Sequence, residues 1–219
     1  MEELLSKNKI DEIKSLNEDG NPTLSDEGGI FKVPYYTEEI TDSKMYKKII
    51  RNIRSQIRTS QLYKGYIQYL HSEVKLDTCA VLGNVTDQKA EIEIHHYPFT
   101  LFDVIDIVLA HKLENGEKFS TMEVSQQILK DHYDNIIGIV PLAETVHELA
   151  HAGEIFIPLN MVFGDIQTFV DKYRDGMANE NINKLNSLID LTKQGAEIDP
   201  KGLLDMKEKS WDIENVNNF

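Results

Sequence analysis

The sequence predicts an α+β fold: a small core of two strands and a helix, carrying a helical insertion and flanked by helical N- and C-terminal regions. Three observations predict it. Residues 90–97 alternate apolar and polar side chains, as a half-buried strand does. Apolar residues recur at helical spacing on both sides of that strand. Two histidine pairs, His95-His96 and His147/His151, fall on the predicted strand and on a predicted helix beyond it.

Residues 1–43 are acidic, with 11 acids against 4 bases, whereas residues 44–64 carry seven bases and no acid. Within residues 43–70, Tyr46, Ile50, Ile53 and Ile57 mark one apolar helix face, in one helix or two. Lys47, Arg51, Arg54 and Arg58 repeat that spacing one residue later and form a basic stripe. Such a stripe is either a solvated face or a surface that tracks phosphates. Tyr63, Tyr66 and Tyr69 read as core or interface residues, since their spacing is helical.

Residues 78–82 form an apolar strand candidate, and Gly83-Asn84 supplies turn chemistry. The alternating strand of residues 90–97 should stop at Pro98, which offers no N–H to a ladder. Residues 100–113 read as a helix closed by Asn115-Gly116. Ser120 or Thr121, with Glu123 near the reciprocal position, starts another helix that runs to about His132. His111 and His132 on these helices are expected in surface or capping roles. Residues 136–142 read as a short strand or strand-like turn, residues 144–151 as a helix stopped by Gly153, and residues 166–173 and 181–191 as further helices. The pattern decays from residue 193 into a loosely held tail. The implied division is a helical region at 1–75 with a basic helix at 44–64, a core at 76–165 with its insertion at 99–134, and a helical C-terminal region with a flexible acidic tail at 166–219.

Composition sets limits. The net charge of −14 argues against a surface that binds nucleic acid throughout, but leaves room for a local patch. One cysteine, Cys79, excludes an internal disulfide framework and a four-cysteine zinc site, and should be a small core residue. The acidic N-terminus has no signal-peptide apolar run, and no apolar stretch is long enough to cross a membrane. A cytoplasmic protein is the expectation.

The histidine pairs carry the chemistry. His147 and His151 sit one turn apart on the same helix face and can share one ion. His95 and His96 point to opposite strand faces, so a regular strand cannot direct both at that ion. At a strand end the roles can split, one histidine as ligand and the other as a base beside it. His147-Glu148-Leu149-Ala150-His151 also satisfies H-E-x-x-H, the zinc-protease signature, with Glu148 as base and a third ligand needed further on, at Glu154, Asp165 or Glu180.

The segments around Glu93-Ile-His95-His96-Tyr-Pro, Gly138-Ile-Val-Pro-Leu and His147-Glu-Leu-Ala-His151-Ala-Gly together resemble the His-rich branch of the HNH endonucleases (the His-Me finger, or ββα-metal, family), over roughly residues 77–160. The resemblance implies a ββα-metal core that cuts DNA phosphodiester bonds. It implies His96 as general base and His95, His147 and His151 as ligands of one divalent ion: Mg, Mn, Ni or Zn. The basic stripe would bind the DNA. The family's middle asparagine falls at Gly138 here, with Asn135 three residues earlier as the candidate loop brace. A second reading keeps the scaffold as a phage or mobile-element module that binds a protein partner, in the host cytoplasm if phage-encoded. The zinc protease is a third. Neither DNA nor a protein partner implies a membrane.

Overall fold

The chain folds around helices that the sequence caps explicitly. In a computed structural model, residues 34–193 are described, together with the backbone of a ribbon formed by β1 (Thr23–Asp26) and antiparallel β2 (Gly29–Lys32). Residues 34–193 contain seven α-helices and one two-stranded antiparallel sheet. The rest of the acidic N-terminal segment, and the tail expected beyond residue 193, lie outside the described residues.

Helix α1 (Ser43–Thr59) starts where the Asp42 carboxylate accepts from the Met45 N–H at 2.8 Å. Its apolar face buries Ile49, Ile50, Ile53 and Ile57. Ser60 has extended backbone, ends α1 and caps α2 (Gln61–Ser72), with its Oγ accepting from the Tyr63 N–H at 3.0 Å. The candidate span is therefore two helices. Tyr66 and Leu70 are buried on α2, Tyr63 is half-buried and Tyr69 is exposed.

Capping boxes start α3 (Leu101–Glu114), through Thr100 and Asp103, and α4 (Thr121–Tyr133), through Ser120 and Glu123. Asn115 caps α3, and Gly116 follows with φ +65°. The main core joins Ile53 and Ile57 of α1 to Ile105 and Val108 of α3, Val124 and Ile128 of α4, and Phe169 and Tyr173 of α6 (Ile166–Tyr173). Ile105 is fully buried. Ile105→Ala is expected to cost about 2–5 kcal/mol through lost burial and the cavity left behind. Urea titration should show this as a lower midpoint with an unchanged slope.

Strand β3 (Ile92–His96) pairs antiparallel with β4 (Ile139–Ala143), with Ile92 opposite Ala143 and His96 opposite Ile139. The partner of the histidine strand is thus the downstream segment, and residues 78–82 are not a strand. They turn back on themselves: the Cys79 N–H donates to the Val85 carbonyl and the Gly83 N–H to the Cys79 carbonyl, both at 2.8 Å. Gly83 takes φ +70°. The apolar side chains that suggested a strand, Cys79, Val81 and Leu82, instead pack against Val140 and Leu142 of β4. Cys79 is fully buried, as expected. Helix α5 (Glu144–His151) leaves β4 directly, and Gly153 stops it at φ +68°. Helix α7 (Asn179–Lys193) closes the described chain.

Candidate metal centre

Period-two alternation on β3 divides its last four residues between two environments. Glu93 and His95 face α5, while His96 faces α2 and α4. On the first side, β3 supplies His95 and α5 supplies His147 and His151. One ring nitrogen from each lies within 4.8 Å of the others. The ring centroids are 4.5 to 4.8 Å apart. Around a tetrahedral zinc ion, with Zn–N bonds of about 2.0–2.1 Å, donors stand about 3.4 Å apart, so modest side-chain rotation closes the set.

The Glu93 carboxylate contacts Nδ1 of His147. That contact leaves Nε2 of His147 as the free donor and fixes the ring, as carboxylates behind metal-binding histidines do. Burial first, then His147, His151 and Lys184, push the His95 imidazole down to about 4. A neutral ring of this kind is a competent ligand at neutral pH. The three rings open onto a cleft of about 200 Å³, which Arg58, Ile94, Thr100, Leu101 and an edge of His96 also line.

On the other side, His96 is 7% exposed, and its Nε2 lies 2.9 Å from Nε2 of His132. Nδ1 of His132 is 2.7 Å from the Ile128 carbonyl, to which it must donate. His132 therefore accepts at Nε2, and His96 donates from its own Nε2. Tyr63 stacks on His96, and Tyr66 meets the edge of His132. Burial holds both imidazoles down, His132 to about 4 and His96 well below its ordinary range. His132, expected at a surface or cap, is fully buried because α4 packs that face against α2.

The remaining candidates disperse. Lys47, Arg51 and Arg54 are exposed on α1, and only Arg58 of that stripe reaches the cleft. Asn135 follows α4 with φ +54°, and its carbonyl accepts from the Asp165 N–H at 2.7 Å. Its side-chain Oδ1 is buried with no hydrogen-bond partner among the described residues. The third imidazole beside the H-E-x-x-H pair comes from upstream, on β3, whereas the protease reading looked downstream. Sequence reasoning missed Glu93 as a backing carboxylate. The signal was present in its i, i+2 position relative to His95, on the same strand face.

Residues 1–217 match the model of the bacteriophage G278-like virion protein family. The chain belongs to that family. No curated protein and no solved structure matches it. The HNH endonuclease assignment is therefore overturned, and the phosphodiester-hydrolase role goes with it: the virion-family match takes in nearly the whole chain, while the nuclease resemblance touched under half. A Cβ at position 138 would come within 2.1 Å of the Tyr97 carbonyl oxygen, so this loop has no room for the asparagine of a nuclease. Among the described residues, no helix is long and apolar enough to cross a membrane.

Proposed function

We propose that this member of the virion-protein family is a structural component of the phage particle, acting through protein contacts, and that His95, His147 and His151 hold one divalent ion that clasps α5 to β3. Membership in the family supports the first half. The convergence of three imidazoles from two elements carries the second. Helix α5 has eight residues, no side-chain cap and one buried residue, Val146, so it has little else to hold it. Three nitrogen donors favour zinc or nickel over magnesium or manganese, which prefer oxygen.

The clasp has a measurable consequence. Purified protein should contain close to one zinc or nickel per chain by elemental analysis. Stripping it with EDTA should lower stability by about 2–3 kcal/mol, the linkage expected when free ion exceeds its dissociation constant about a hundredfold. For a chain of this size that is a fall of about 5–10 °C in Tm. His151→Ala should lose the ion and the EDTA effect together. Metal-free protein that ignores added zinc and nickel would remove the clasp. Mass spectrometry of purified particles tests the virion role, and absence of the chain from them would remove it.

A further inference from the structure

The histidine cleft is one-sided in charge. Three imidazole ligands bring no negative charge to a divalent ion, and they fill three positions of a tetrahedral shell. Glu93, on the same strand face as His95, is taken by Nδ1 of His147. Asp103, on the first turn of α3, accepts from the Thr100 N–H at 2.9 Å and lies 3.9 Å from Lys184. Among the described residues, no acidic side chain lines the cleft. A cation does: Arg58 reaches its wall from α1 and makes no ion pair among the described residues. Ile94 and Leu101 supply an apolar wall beside these charges.

We infer that the cleft is a docking point for a carboxylate side chain of a partner protein in the particle, which takes the fourth position on the ion and pairs with Arg58. This inference rests on the ion proposed above. An ion of charge +2 next to a guanidinium, in a chain of net charge −14, is a local reversal of sign that selects an anion. A volume of about 200 Å³ takes one side chain, and the apolar wall suits the methylenes of a glutamate or aspartate. The overall acidity repels a nucleic-acid backbone at longer range, which leaves a protein carboxylate as the fitting anion. Docking of this kind gives a particle contact that depends on both metal and charge.

The full chain loaded with Co(II) tests this, because the visible spectrum of cobalt reports its fourth ligand. Titration with the peptide acetyl-Gly-Gly-Glu-Gly-Gly-amide should shift the spectrum saturably, and the glutamine counterpart should not. Arg58→Ala should weaken the glutamate peptide about tenfold or more without loss of bound cobalt, as loss of a charge-assisted hydrogen bond implies. Absence of any protein-bound cobalt spectrum overturns the ion and, with it, this site. A cobalt spectrum that the glutamate peptide leaves unchanged overturns the carboxylate site alone. So does a response to inorganic phosphate in preference to the peptide, or one indifferent to Arg58→Ala.

Discussion

Gly138→Ala is expected to destabilise the protein by about 3 kcal/mol, at the upper end of the usual range for overpacking. The added methyl would lie 2.1 Å from the Tyr97 carbonyl oxygen and 3.0 Å from side-chain carbons of Val162 and Ile166. Rotamer changes can move Val162 and Ile166. They cannot move a backbone carbonyl, so the strands themselves must separate. The Tyr97 N–H also donates to the Gly138 carbonyl at 3.0 Å, next to the His96–Ile139 end of the sheet. Separation therefore breaks a backbone bond beside the histidine dipeptide as well as relieving the clash. Urea unfolding should show a lower midpoint, and a midpoint equal to the parent's would refute the close approach. The position that the nuclease motif would fill with asparagine is closed even to alanine.

Asp131→Ala should be comparably damaging, at about 3 kcal/mol. Asp131 is fully buried on α4. Its Oδ1 accepts from Lys172 Nζ at 2.6 Å and from Gln127 Nε2 at 3.0 Å, and its Oδ2 accepts from the Tyr173 hydroxyl at 2.5 Å. One carboxylate thus pins α6 to α4. Burial, then the bond to Asp131, raises the Tyr173 phenol well above its ordinary value, so it stays a donor. Truncation strands that hydroxyl in the core. Lys172 is 38% exposed and can return to water, which keeps the expected cost at the lower end for a broken buried pair. Tyr173→Phe removes only one bond and should cost about 1 kcal/mol. At about 2–4 °C per kcal/mol, thermal unfolding should separate the two variants clearly. Equal shifts would mean that the carboxylate network does not hold α6.

Helix boundaries were legible where a side chain closes a hydrogen-bond ring locally. Ser120 with Glu123, Asn115-Gly116 and Gly153 all stand at real ends, because capping depends on near neighbours only. The β3 alternation was legible for the same reason. What failed depended on distant packing. Cys79, Val81 and Leu82 are apolar because they cover β4, and local sequence cannot separate that from strand formation. His132 looked like an exposed helix histidine because nothing nearby in sequence announces Tyr66 or His96 as its neighbours. The nearness of His95 to His147 and His151 followed from treating the two pairs as one constellation. The activity did not follow, because a short motif describes ligand geometry and not the protein built around it.

The two strands of the β3–β4 sheet are separated in the chain by the whole of α3 and α4. Pairing them from an open chain means closing a long loop, and that entropy is spent before the ladder returns anything. Formation of α3 and α4 shortens the loop first. The sheet should therefore be a late event in folding, with substitutions in β4 accelerating unfolding and those in α3 slowing refolding. A φ-value near zero for Leu142→Ala beside a fractional one for Val108→Ala, from stopped-flow chevrons, is the expected pattern. The reverse pattern would place the sheet in the nucleus. On this order of events the three imidazoles meet only at the end, so ion capture would time the last step of folding.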